Sequence, residues 1–133
     1  MPIKLCDFYT KEELNKLNAK LDHSIFRKGD INFSNDTLFL KLDANVNNEK
    51  NSIIKIWWPK KYRIQPINLI IRSVINWSVR DEDKQKSSQQ EVIIGGISIC
   101  RNEIYIGSFC EHDNQYGISI KVNKIDIELE ELK

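Results

Sequence analysis

INLIIRSVINWSV, residues 67–79, is the stretch that decides the fold class. Ile67, Leu69, Ile71, Ile75, Trp77 and Val79 fall on one face of an extended chain. Asn68, Arg72, Asn76 and Ser78 fall mainly on the other, with Ile70 and Val74 as apolar exceptions. A period of two with one polar face predicts a half-buried antiparallel strand. TLFLKLD (37–43) repeats the pattern, with Leu38, Leu40 and Leu42 opposed to Thr37, Phe39 and Lys41.

Parity predicts two hairpins. A two-residue loop at Arg101 and Asn102 sets Ile99 against Ile104 and Ile97 against Ile106. A loop at Asn123 and Lys124 sets Val122 against Ile125, Ile120 against Ile127 and Ile118 against Leu129. Opposed hairpin residues share a face, so both loops align apolar with apolar. Asparagine tolerates the positive φ such turns need. A bulge at Asn123 in one continuous strand gives the same parity switch.

One clear helix precedes the strands, in YTKEELNKLNAKLDH (9–23). Thr10 is an N-cap and Glu13 completes a capping box, with Tyr9 and Leu14 placed for a hydrophobic staple. Leu14, Leu17 and Leu21 share one face of a helix over 11–22. DANVNNEKNS (43–52) and DEDKQKSSQQE (81–91) read as loops. The expectation is one α+β, mainly β domain over residues 1–133. Its N-terminal amphipathic helix packs on a meandering antiparallel sheet of about six to eight strands.

The 133 residues suffice for a single core without staples. Twenty basic against 19 acidic residues give no global attraction to nucleic acid or anionic membrane. Cys6, Cys100 and Cys110 are odd in number and widely spaced, so buried free thiols in a reducing cytoplasm are expected. MPIKLCDFYT lacks the apolar run of a signal peptide, and no stretch approaches a membrane helix.

IIKIWWPKKYRIQP (53–66) is the main binding candidate. Trp58 shares a strand face with Ile54 and Ile56 and is the core tryptophan, while Trp57 shares its face with Ile53 and Lys55. Pro59 ends the strand. Trp57, Lys60, Lys61, Tyr62 and Arg63 can be read as a base-stacking platform with phosphate contacts, or as a snorkelling sheet rim. They can also be read as a protein-binding surface, since tryptophan, tyrosine and arginine dominate interface hot spots. Balanced charge and the absence of a nucleic-acid motif favour the sheet rim over the stacking platform, and of the two binding readings a protein partner ranks first, with single-stranded nucleic acid as the alternative.

In CEHD (110–113), Cys110 and His112 share a strand face, but no second Cys/His pair has the spacing a zinc site needs. Neither metal, cofactor nor catalysis is expected there. Gly95-Gly96 has no third glycine and no following helix, so a bulge or sheet bend is expected rather than a phosphate loop.

LDHSIFRKGDINFSNDTLFLKLDA (21–44) has a helix ending at Asp22 and His23, a short isoleucine-bearing strand, then DTLFLKLD. This order resembles small bacterial immunity proteins of polymorphic-toxin systems. The resemblance covers about the first third of the chain. It implies a non-catalytic cytoplasmic protein that binds and blocks a partner toxin, and it carries no residue-level site.

Overall fold

Thr10 starts α1 (Lys11–Leu21) where the sequence places it. Its Oγ1 accepts the Glu13 backbone N–H at 3.1 Å, and Glu13 Oε1 accepts that of Thr10 at 2.9 Å. Such a cap stabilises a helix by about 1 kcal/mol. The helix stops as Asp22 N–H donates to the Asn18 carbonyl and His23 turns left-handed at φ 63. Leu17 and Leu21 are fully buried and Leu14 packs against them.

The computed structural model describes residues 3–45, 64–82, 89–110 and 114–131. Its ten strands are β1 (Ile3–Cys6), β2 (Ile25–Arg27), β3 (Ile31–Ser34), β4 (Thr37–Asn45), β5 (Ile64–Ile71), β6 (Val74–Asp81), β7 (Glu91–Cys100), β8 (Glu103–Phe109), β9 (Gln115–Val122) and β10 (Asp126–Glu131). They form one open antiparallel sheet in the order β1-β10-β5-β4-β2-β7-β8-β9-β6, with β3 beside β4. The fold is therefore α+β and mainly β, as the alternation predicts. The count exceeds the expected six to eight because β1, β2 and β3 have at most four residues each, too few to show a period.

The deciding stretch is two strands rather than one. Ser73 takes φ 59, and the chain leaves β5, which lies between β4 and β10, to enter β6 at the far edge. A second corner at 123–125 carries the chain from β9 to β10. The expected hairpin there does not form: β9 pairs with β8 and β6, and β10 with β1 and β5. Val122, Ile125, Ile127 and Leu129 are all buried, so the parity was correct. It reports a shared core, not a shared ladder. The corners are stitched together, Arg72 N–H donating to Asp126 O and Asn123 N–H to Ser73 O, both at 2.9 Å.

Leu38, Leu40 and Leu42 of β4 and Ile67, Leu69 and Ile71 of β5 face a core shared with Ile104, Ile106, Ile118 and Ile120. Beyond the Ser73 corner the row continues at the sheet's edge, where Trp77 and Val79 stand opposite the buried Ile120 and Ile118 and Trp77 packs partly buried against the core. Ile75 and Val79 are exposed, and it is Val74 that is buried. The hairpin of β7 and β8 has the expected pairs Ile99 with Ile104 and Ile97 with Ile106. Its positive φ falls on Arg101 rather than on the asparagine beside it. Asn18 of α1 stands in for a strand partner of β7: its Oδ1 accepts Ile97 N–H at 2.7 Å and its Nδ2 donates to Ile97 O at 3.0 Å. Both backbone groups of the buried Ile97 are thereby satisfied.

β6 curls round to meet the segment of β3. Val74 N–H donates to Asp36 O at 2.9 Å, the Phe33 and Trp77 rings lie 6.2 Å apart, and Lys28 Nζ meets Asp81 Oδ2 at 2.7 Å. No backbone ladder joins β6 to β3 among the described residues. Beneath this seam Phe26 packs edge-on to Tyr116, ring centres 5.8 Å apart, with the Lys28 ammonium 5.5 Å from the Tyr116 ring.

Burial, helped by the negative charges of Asp81 and Cys110, pushes the Tyr116 phenol up to about 12 from its ordinary 10. The unfolded phenol ionises first, so stability is whole below pH 10 and falls as pH rises from 10 towards 12. Ultraviolet titration should show a late phenol ionisation from Tyr116, together with alkaline unfolding. A Tyr116→Phe variant should lose that late step; an unchanged titration would mean the ring is solvated.

The thiols do not all behave as expected. Cys110 is buried, but Cys6 and Cys100 are exposed, because each lies on the outward-facing side of its strand near an end. No helix among the described residues is long and apolar enough to cross a membrane.

Candidate recognition face

Trp57, Lys60, Lys61, Tyr62 and Arg63 lie outside the described residues, as do Trp58 and His112. Asp22 and His23 are described, and their side chains sit 3.1 Å apart on the surface, about half and more than half exposed respectively. Their place is structural, since His23 ends α1 and its N–H donates to Ile94 O. Among the described residues no three His, Cys, Asp or Glu side chains are grouped to hold a metal ion.

What the structure does bring together is the outer face of β7, β8, β9 and β6. Register arranges it in four rows across the strands. Cys100, Glu103, Lys121 and Asn76 form the first; Ser98, Tyr105, Ser119 and Ser78 the second. Gly96, Gly107, Gly117 and Arg80 form the third, and Ile93, Phe109 and Gln115 the fourth. Every inward neighbour on β8 is buried, namely Ile104, Ile106 and Ser108, whose hydroxyl donates to the Tyr116 carbonyl.

Two aromatic rings lie down on this face. A Cβ on Gly117 would collide with the Tyr105 hydroxyl oxygen, and one on Gly95 would come within 3.1 Å of Phe109 Cζ. Each ring therefore covers a glycine on the neighbouring strand and leaves its other side to solvent. Tyr105 and Phe109 remain 43 % and 45 % exposed, and Ile93, opposite Phe109, 41 %. Gly95 also marks the expected bulge, since the ladder shifts between Ile94 and Gly96.

The β8, β9 and β6 members of the first two rows line an open groove of about 370 Å³, which brings Tyr105 together with Ser78, Ser119 and Asn76. Lys121 stands directly opposite Glu103 across the ladder, so charge there is balanced within the face. The chemistry offered is stacking and neutral hydrogen bonding.

Neither the tyrosine nor the phenylalanine stands out in the sequence, where EIYIGSF (103–109) reads only as half of a hairpin. The available signal was glycine. Four of the five glycines fall in strands, at 95, 96, 107 and 117, where they weaken a sheet unless a neighbour needs the space. Comparison with protein-family models, characterised proteins and solved structures gave no match.

Proposed function

We propose that this domain is a non-catalytic binding protein that recognises another protein through the outer face of β6–β9. One observation carries this reading: two half-exposed aromatic rings lean over glycines of the neighbouring strands in the middle of a sheet face that no described element covers. Rings held this way lose little freedom on binding, because the sheet beneath already fixes them. The surrounding residue types are tyrosine, serine, glycine and asparagine, the set that antibody combining sites use for protein surfaces. A phosphate-binding groove would need an excess of positive charge. Here Lys121 faces Glu103, and Arg80 touches Glu82 at 3.3 Å.

The resemblance of residues 21–44 to immunity proteins suggests the class of partner, a toxin that the domain blocks in the cytoplasm. Affinity capture from the native cell after nuclease treatment tests the reading, with wild type beside a Tyr105→Ser/Phe109→Ser variant. The wild type should retain one protein stoichiometrically, and the variant should retain at least tenfold less. Equal retention by a folded variant would sink the reading. Saturable, salt-sensitive quenching of tryptophan fluorescence by a mixed-sequence oligonucleotide would favour single-stranded nucleic acid instead.

A further inference from the structure

β6 runs past the β2–β3 segment as a ladder partner would, yet no ladder joins them. Lys28 meets Asp81, the Phe33 ring meets that of Trp77, and Asp36 O accepts Val74 N–H. As one residue number rises the other falls in step, so the two run antiparallel. Among the described residues they do not approach as paired strands do, and β6 remains an end of the sheet.

The backbone groups along this seam face each other. Ser34 and Thr37 close the two-residue turn at Asn35 and Asp36, both left-handed at φ 50 and 58. In such a hairpin the closing pair exchanges hydrogen bonds. Ile31 and Phe33, of opposite parity, therefore turn their N–H and C=O away from β4 and towards the seam. On the other side Glu82 N–H donates to Gln115 O. The alternation then sends the N–H and C=O of Trp77 and Val79 away from β9, also towards the seam.

The core is open at the same place. Phe33 stands opposite the buried Leu38 and Val79 opposite the buried Ile118, so both face inward. They are nonetheless 44 % and 37 % exposed. Ile31 and Trp77, two residues along from each, are only partly buried. Inward apolar residues left wet on both flanks make the seam a gap in the core wall, tied at its ends by Asp36 and by the Lys28–Asp81 pair.

We infer that this seam takes an extended segment of a protein partner, added as a strand along β6. The occupant is a polypeptide because the seam presents backbone donors and acceptors at strand spacing, which another backbone matches. Every second side chain of that segment is apolar, because it enters the gap between Phe33 and Val79. Between the ties, from Ile75 to Arg80, the edge has room for about six residues at roughly 3.3 Å each. Unpaired strand edges are the usual template for such addition. The inference goes beyond the recognition face proposed above and does not depend on it.

The test uses a capped peptide of about six residues, alternating valine and threonine between terminal lysines, titrated into the ¹⁵N-labelled full chain. It should shift the Trp77 and Val79 amides saturably and slow their exchange with deuterium, with a Kd on the order of 1 mM. A proline in the middle of the peptide should weaken binding at least tenfold, because it removes a backbone donor. Val79→Lys should do the same by placing a charge in the inward row. Ser78→Lys, on the opposite face of β6, should bind as wild type. No change at the two amides overturns the inference, as does equal binding of the proline peptide or by Val79→Lys. Amides already protected in the free chain would mean a closed seam. Amide shifts that follow protein concentration alone would make the occupant a second copy. Decanoate shifting these amides where the peptide does not would make it an apolar small molecule. Each of these outcomes also overturns the inference.

Discussion

Phe26→Ala is expected to destabilise the fold by about 3–5 kcal/mol, the range for truncating a large buried aromatic. Phe26 is 2 % exposed and sits on the three-residue β2, with Tyr116 edge-on to its ring. That strand is the hinge of the sheet. It joins β4 through the single pair Ile25–Asp43 and β7 through three pairs from Ile25–Ile93 to Arg27–Glu91. So short a ladder cannot hold two halves of a sheet together by backbone bonds alone, and the buried ring supplies the rest. Truncation leaves a cavity beneath the seam as well as losing transfer free energy. Urea unfolding should show a lower midpoint with an unchanged slope. Phe109→Ala is the control. Its ring is 45 % exposed, so the loss should stay under about 1 kcal/mol. Equal losses would put Phe109 in the core and remove it from the recognition face.

Local signals in the sequence were reliable wherever the physics was local. The capping box of Thr10 and Glu13 forms because both partners lie within one turn. The hairpin of β7 and β8 forms where parity and a two-residue loop agree. What failed was the step from parity to partner. Ile71 and Val74 are both buried, so nothing in the apolar pattern marks the corner between them. The left-handed φ at Ser73 is a tertiary consequence, held by the bond from Asn123 N–H, 50 residues away in the chain. The same holds for the recognition face. Outward residues of a strand look like ordinary polar positions until the register lines up Gly96, Gly107 and Gly117 on three strands. Glycine spacing within one strand cannot show that row; only the pairing of strands does.

The seam between β6 and the segment of β3 depends on one ion pair more than on any backbone bond. Lys28 Nζ and Asp81 Oδ2 are 2.7 Å apart, with side chains 7 % and 13 % exposed. Little water screens them, so the attraction is strong, but so is the cost of taking both charges out of water. The pair as a whole therefore contributes little net stability, while breaking it is expensive. Asp81→Asn is expected to cost about 3–5 kcal/mol, because the buried ammonium loses its nearest counter-charge. Lys28→Met should cost less than that, since the carboxylate left behind is closer to water. The double variant Lys28→Met/Asp81→Asn should recover much of the loss. A double-mutant cycle by urea unfolding measures the coupling directly. Single losses below 1 kcal/mol that simply add would show a solvated pair, and the seam would then rest on Phe33 and Trp77. The consequence reaches the recognition face through chain geometry. Asp81 is the residue after Arg80, so the pair that closes the seam also tethers the β6 strand at the end of the glycine row.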